Sequence, residues 1–469
     1  MTATSTRSQP DVPELLPLPV VDAEPAAQAE PTFAARPLYV SVAVKFVISA
    51  AFAVLWTGAA IWLSLPWIHD LSRSAGTPAA WIIVALVAYL PGFIVALMAM
   101  SLILDRQPGL TVSNPVAPLT IIVAARNEQS GISDTIRCLG ESVYAGEITV
   151  ILADNGSADA TAELAGVAAE KVGASLQVVH EPRPGKSHAL NAALEQVVTP
   201  YVITVDADTL LHREALRRLI SRLESAPADT VAVAGSVLVR NSRANLLTRM
   251  QEWDYYLGIA AVKRMQGLYQ ATLVAQGAFS VYRTEKIKDI GGWPDAIGED
   301  IVVTWKLLER GGRVIFEPTA VAFTDAPTRV VHFMRQRARW ARGMFEGLRA
   351  VPPWRQRRPL VGLITGIDFL IPLLDVGYAL IWLPGLVLFL FGHPVIVSAW
   401  AMTVIPVTLL IYGCLQHYQR RWVFGPLGLT VRRNWFGYLA FLLGYQALCS
   451  VASLVGYAQF VAGSARRWK

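Results

Sequence analysis

The sequence predicts an α/β domain built on a doubly wound, parallel sheet and inserted between two sets of transmembrane helices. Three observations predict it. Short apolar runs alternate with helical stretches between about residues 118 and 358. Two of those runs end in acidic residues. Long apolar segments, nearly free of charge, flank this polar middle on both sides.

Composition supports the split. Only 16% of residues are charged, against about 25% in a typical soluble protein, and the mean hydropathy is +0.41. A wholly water-solvated enzyme is excluded. The formal net charge is +6, which suits nucleic acid or anionic lipid and phosphates. Arg335, Arg337, Arg339 and Arg342, then Arg355, Arg357 and Arg358, sit beside apolar runs. That placement favours a membrane surface and a diphosphate, and no nucleic-acid partner is expected. For Arg355 to Arg358 plain positive-inside anchoring is sufficient. Cys138, Cys414 and Cys449 lack metal-ligand spacing and read as packing residues in a reducing compartment.

Residues 1–38, rich in Pro, Ala and Glu, have no early apolar core. They read as a disordered cytoplasmic tail without a cleavable signal peptide. Residues 39–105 hold two spans, Phe46 to Leu65 and Ala79 to Leu104, each near the ~20 residues that crossing requires. The turn between them carries one Arg, whereas the domain that follows is Arg-rich. The positive-inside rule therefore places that domain in the cytoplasm.

Residues 116–350 form the cytoplasmic domain. Leu119–Ala124, Ile148–Ala153, Leu176–His180 and Tyr201–Val205 read as buried strands, with helices between them. Asp154 follows the second strand, and Asp206 and Asp208 follow the fourth. In open α/β sheets ligands bind beyond the carboxyl ends of strands, so three carboxylates converge on one crevice. Residues 246–265 and 330–349 are amphipathic. The first reads equally as an interface or a core helix; the second, close to the next apolar run, reads as an interface helix.

Residues 360–463 hold about three further spans, Leu370–Leu390, Val395–Leu415 and Trp435–Val461. Asp368 and Asp375 mark the first, and an intramembrane acid is a functional candidate. Two spans before the domain and three after it would place the Arg466–Lys469 tail outside, against the positive-inside rule. Either that tail is an exception or the count is off by one.

The chemistry-bearing residues follow strand ends and helix starts. Asp206-x-Asp208 presents two acids on one side of a strand end, a compact seat for a divalent cation and the diphosphate it bridges. Alone, such a pair is more often a chance surface feature. Asp154-Asn155-Gly156 makes a sharp exit in which Asp154 accepts hydrogen bonds from a base or ribose, or only closes a turn. Ala125, Arg126 and Glu128 follow the first strand at the same edge. Lys186 opens a helix after Gly185, a good place for phosphate. Glu299-Asp300 starts another helix, as a cap or as a general base on an acceptor hydroxyl. Gln336, Arg339 and Trp340 lie on the Arg-rich helix, with Trp340 a flat face for a sugar and Arg339 a clamp for a leaving diphosphate. Each is also compatible with a plain interface helix.

Taken in order, these elements resemble the processive branch of glycosyltransferase family 2, which includes synthases of cellulose, hyaluronan, chitin oligosaccharides and poly-N-acetylglucosamine. The resemblance covers about Leu119 to Gly347 and the flanking spans. The stretches Ala-Ala-Arg-Asn-Glu, Glu-Asp-Ile-Val-Val-Thr-Trp-Lys and Arg-Gln-Arg-Ala-Arg-Trp-Ala-Arg-Gly are similar to those of bacterial poly-N-acetylglucosamine synthases. The resemblance implies a glycosyltransferase-A-like, Rossmann-related nucleotide-diphospho-sugar domain. It implies Asp154 on uridine, Asp206 on UDP, and Asp208 on Mg²⁺ or Mn²⁺. Asp300 would be the catalytic base, and Gln336, Arg339 and Trp340 would hold the acceptor end and the diphosphate.

The implied activity is an inverting, processive transfer from a UDP-sugar, UDP-GlcNAc first, to a nascent β-linked polysaccharide that then crosses a bacterial inner membrane. A small membrane subunit is an implied partner. Alternatives are a β-glucan or hyaluronan-type synthase, a non-processive transferase to a lipid-linked acceptor, and a non-catalytic membrane scaffold. Gly298 stands where Thr usually precedes Glu-Asp, and Gln276-Gly277-Ala278-Phe279 replaces a usual Ser-Gly start. Both departures bear on the sugar more than on the reaction. No soluble sensor domain is expected after the last span, and hence no cyclic-dinucleotide control through one.

Overall fold

The computed structural model describes residues 40–105, 107–397, 404–430 and 433–463. The tail expected at 1–38 lies outside them. So does part of the candidate span at 395–415, whose residues 398–403 are not described.

Eight strands form one sheet among the described residues. They are β1 (Leu119–Ala125), β2 (Ile148–Asp154), β3 (Leu176–His180), β4 (Tyr201–Asp206), β5 (Leu210–Leu211), β6 (Thr230–Val239), β7 (Phe279–Arg283) and β8 (Arg313–Thr324). Their order is β3-β2-β1-β4-β7-β6-β8-β5. The half built from β3, β2, β1 and β4 is parallel, as the alternation predicts. The other half corrects an all-parallel reading: β7 runs antiparallel to both β4 and β6, and β5 antiparallel to β8. The sheet is mixed. β7 leads directly into a short helix, Thr284–Asp289.

Both faces of the sheet are covered, which is why its strands read as unbroken apolar runs. Every residue of β1 is buried. Leu119, Ile121 and Val123 face one way, onto helices Ile132–Gly140, Thr161–Val172 and Ala215–Ser225. Ile122 and Ala124 face the other way, into a second core that also contains Leu257, Ala261, Trp305, Met98 and Leu102. Met98 and Leu102 belong to the second apolar helix, so this core runs without a break from the sheet into the membrane helices.

Four helices among the described residues are long and apolar enough to cross a membrane: Val42–Ala75, Thr77–Ile103, Pro359–Leu390 and Trp435–Val461. The chain is a membrane protein. Helix Val404–Gln419, within the region of the remaining candidate span, has 16 described residues. Asp375 is buried between helices and accepts a hydrogen bond from Tyr457 of the last one at 2.5 Å, so this intramembrane acid has a hydrogen-bond partner. Cys138 is half-buried, but Cys414 is exposed and corrects the packing role read for it.

Helix Val330–Ala350 lies between the sheet domain and the last membrane helix. Its Gly343 meets Gly298 so closely that a Cβ on Gly298 would stand 2.6 Å from the Gly343 Cα. Ala338, on the same helix, crosses Gly456 of the last membrane helix with its backbone against that glycine. Small residues at both crossings let one helix touch the site loop and the membrane helix together. The continuous helical stretch 246–268 supplies the other brace. It contains a π-helical turn, Asp254–Ile259, and is largely buried rather than lying free at a surface.

Candidate active site

The parallel register sets the site. Ala124 pairs with Asp206 on one side of β1, and Ala125 with Asp154 on the other. The acids that end β2 and β4 are therefore level, at the carboxyl edge where the loops open. Asn127 takes a left-handed conformation, φ 55°, and its backbone N–H donates to Ser157 Oγ at 3.0 Å. Its side-chain oxygen accepts from Ala158 N–H at 2.8 Å. The loop after β1 is thus tied to the loop after β2.

A cavity of about 450 Å³ opens above this edge. At one end Arg126, Glu128, Lys186, Asp206 and Asp208 line it. Glu299 and Asp300 form part of its wall, and Gln336, Arg339 and Trp340 reach in from helix Val330–Ala350. Residues from five separate stretches of sequence thus share one space. Ala125 and Asp154 do not line it. Ala125 is 1% exposed. Asp154 is buried behind the edge, where it accepts from Ser157 N–H at 3.2 Å and lies 2.9 Å from His180 Nδ1.

Charge is unevenly held. Lys186 donates to Asp206 at 2.5 Å and stands 3.6 Å from Glu299. Burial works against its charge, but Asp206, Glu299 and Asp300 outweigh burial and hold Lys186 above the usual lysine range. Glu299 is pushed up to about 7 by desolvation, opposed by Lys186 and reinforced by Asp300 and Asp206. Asp208 is pushed up to about 6 by desolvation, then by Asp206 and Glu128. Its residue keeps contact with solvent at the cavity lip although protein mass surrounds the carboxyl. The Asp208 end thus carries more negative charge than its cations balance. Asp300 lies in the first turn of its helix and accepts from Ile301 N–H at 2.9 Å.

Trp340 is held from behind. The Arg337 guanidinium stacks on its ring at 4.1 Å and pairs with Asp254 at 2.8 Å. Arg337 also donates to the Tyr445 hydroxyl at 2.7 Å, and that hydroxyl donates to Asp254 at 3.0 Å. Tyr255 stands 6.3 Å from the Trp340 ring. The wall that presents Trp340 is therefore fixed to the last membrane helix through Tyr445.

The family model described as "Glycosyltransferase like family 2" matches residues 116–343, the stretch that builds this cavity. Residues 116–343 are a family 2 glycosyltransferase domain. The domain is similar to "Poly-beta-1,6-N-acetyl-D-glucosamine synthase" from Staphylococcus aureus, 33% identical over 246 residues, 52% of this chain and 58% of that protein. The Staphylococcus epidermidis protein of the same name is 32% identical over 235 residues, 50% of this chain and 56% of that one. The chain thus spans a little under three fifths of the length of these curated relatives. Among solved structures, a mannosyltransferase from Pyrobaculum calidifontis, in complex with GDP-Man and Mn²⁺, matches with a TM-score of 0.52. It has 19% identity and covers 89% of this chain and 99% of its own. That likeness is one of fold, and its extent takes in the membrane helices as well as the glycosyltransferase domain.

The glycosyltransferase cavity also contains residues that sequence reading missed. Tyr255, Ile259 and Lys263 line it from the 246–268 helix, and Asp325 from the end of β8. A lysine on the otherwise apolar face of an amphipathic helix was the available signal. It did not reveal which way the side chain points, because that depends on how the helix packs.

Proposed function

We propose that the glycosyltransferase domain transfers a sugar from a UDP-sugar, UDP-GlcNAc, to the end of a growing β-linked polysaccharide. The transfer inverts the anomeric carbon and repeats processively. The domain faces the cytoplasm of a bacterial inner membrane, and the flanking helices pass the product across. The observation that carries this reading is the shared cavity: a carboxylate-rich end for a nucleotide diphosphate, and an Arg339–Trp340 end backed against the membrane helices. The named relatives support the choice of sugar. A small membrane subunit is a partner consistent with it.

Asp300 accepts the proton of the acceptor hydroxyl. That oxygen forms the new bond to the anomeric carbon as the bond to the UDP oxygen breaks. Arg339 and Lys186 take up charge on the departing diphosphate. Asp154, buried behind the cavity edge and held by Ser157 and His180, fixes the loop after β2 on the uridine side. Holding the reactants in line and stabilising the leaving charge account for most of the acceleration.

The residues fit a divalent cation, Mg²⁺ or Mn²⁺. Asp208 offers hard oxygen donors beside Asp206 and Glu128, and desolvation first, then those two acids, push its pKa up to about 6. Among the described residues no three His, Cys, Asp or Glu side chains gather to hold an ion unaided, so the diphosphate would complete the shell. Bound there, the cation would neutralise the diphosphate as it leaves.

The test is UDP or GDP release by the full-length protein in detergent or liposomes. Mg²⁺ or Mn²⁺ is supplied with UDP-GlcNAc, UDP-glucose, UDP-glucuronate, UDP-galactose or GDP-mannose in separate tubes. Release with UDP-GlcNAc, lost with EDTA and in Asp208→Ala, together with a polymer in the same tube, is the expected result. Release with another donor only replaces the sugar. No release and no UDP binding removes the reading.

A further inference from the structure

Lys263 is 8% exposed, yet it lines the active-site cavity. Among the described residues it has no hydrogen-bond partner and no ion pair. A buried ammonium is costly without partners, and its neighbour shows the contrast. Arg264 points the other way and is fully engaged: its Nε donates to Asp105 at 2.7 Å and its Nη1 to Gln107 at 2.8 Å. Asp105 follows the second membrane helix and also accepts from Tyr418. The helix is therefore clamped to the membrane region on one side, while Lys263 faces the cavity on the other.

The position in the cavity says which substrate group it meets. Tyr255, Ile259 and Lys263 follow one another at intervals of four residues along the cavity face of the helix, running from the Trp340 wall inward. The charge acting on Lys263 is Asp300, which resists the lowering that burial imposes, to about 8. By contrast, the cation at the diphosphate end, Lys186, is already engaged by Asp206 and Glu299. Lys263 therefore lies on the acceptor side, near the group that takes the acceptor's proton, with three N–H donors and no hydrogen-bond partner for them among the described residues.

We propose that Lys263 forms an acceptor-sugar subsite, in which its Nζ donates to an oxygen of the terminal sugar of the growing chain and fixes the attacking hydroxyl against Asp300. This rests on the glycosyltransferase reading above. The recognised group is a neutral hydroxyl, ring or amide oxygen, which takes a hydrogen bond from the ammonium and replaces the water that burial removed.

The experiment uses full-length protein with UDP-GlcNAc and an N-acetylglucosamine pentasaccharide as the acceptor probe, comparing wild type, Lys263→Met and Lys263→Arg. UDP affinity, read by calorimetry, reports that each variant is folded around its donor site. In Lys263→Met, kcat/KM for the pentasaccharide is expected to fall roughly 10- to 100-fold, the size of one charge-assisted hydrogen bond. UDP affinity should stay within about threefold, a split between acceptor and donor that general loosening of the helix would not produce. Lys263→Arg should recover part of the loss. If Lys263→Met fails to bind UDP, Lys263→Gln, which keeps a donor without the charge, is read by the same criteria. An unchanged acceptor kcat/KM, or a loss confined to donor KM, overturns the subsite. A wild type that binds no UDP and releases none with any of the donors named above removes the glycosyltransferase reading itself, and the subsite with it.

Discussion

Lys186 Nζ lies 2.5 Å from Asp206 Oδ1, with Glu299 3.6 Å from the same nitrogen. One lysine thus joins the end of β4 to the start of helix Glu299–Glu309, two stretches nearly a hundred residues apart in sequence. Its side chain is 13% exposed, so water does little to screen the pair.

Lys186→Met removes the cation that pairs with both carboxylates. Three acids, Asp206, Asp208 and Glu299, then face an incoming diphosphate with less to offset them. UDP affinity is expected to fall by roughly 10- to 100-fold, the worth of one charge-assisted hydrogen bond. Calorimetric titration of UDP into the detergent-solubilised variant checks this; an affinity equal to wild type would show that Lys186 serves only to join Asp206 to Glu299.

Asp300→Asn keeps the helix-start geometry but cannot take a proton. Turnover is expected to fall by about 10²- to 10⁴-fold, with UDP affinity within about twofold of wild type. Steady-state UDP release with saturating donor measures it. Near-wild-type turnover would assign the base elsewhere.

Gly298→Thr places a branched side chain where a Cβ already meets the Gly343 Cα at 2.6 Å. The obstacle is backbone, which cannot rotate away. The approach of helix Val330–Ala350 therefore disfavours any side chain at this position. Overpacking of this kind costs about 1–3 kcal/mol, and the melting temperature in detergent should drop accordingly. An undiminished melting temperature would mean that the helix can shift, and the closeness of the two glycines would then carry no constraint.

Glu299 gives a pH signature. Its carboxyl is raised from an ordinary 4.5 to about 7 in the folded protein. Between those values the native state holds a proton that the unfolded chain has lost. Stability therefore falls as pH rises from about 4.5 to 7, and the proton-linked contribution is fully present only below that window. Glu299→Gln removes the titrating group. The difference in melting temperature, wild type minus variant, should decrease across that range. A flat difference between pH 4.5 and 7 would show that Lys186 keeps Glu299 ionised throughout.

How much was legible in the sequence follows from which forces are local. β1 to β4 could be read because each is buried on both faces, which requires an unbroken apolar run, and because helices of ordinary amphipathic spacing separate them. The acids at the ends of β2 and β4 could be placed for the same reason: parallel strands in one sheet bring their carboxyl ends to one edge. β6, β7 and β8 could not be read in this way. Their order and direction are set by which edge of the sheet remains open after β4, and nothing local encodes that. Arg337 shows the same boundary. It was visible as one Arg in a basic helix, but its stacking on Trp340 and its pairing with Asp254 and Tyr445 need three elements to meet.

The sequence by itself determined that long apolar helices flank the domain on both sides, the parallel half of the sheet and the strand-end and helix-start positions of the acids, because burial and periodicity act along the chain. Tertiary structure alone decided that Asp154 lies behind the cavity instead of in its lining, that Gly298 touches Gly343, and that Lys263 points inward while Arg264 points to the membrane helices. Those outcomes depend on helix rotation and crossing distance, which are set by the shapes of partners far away in sequence.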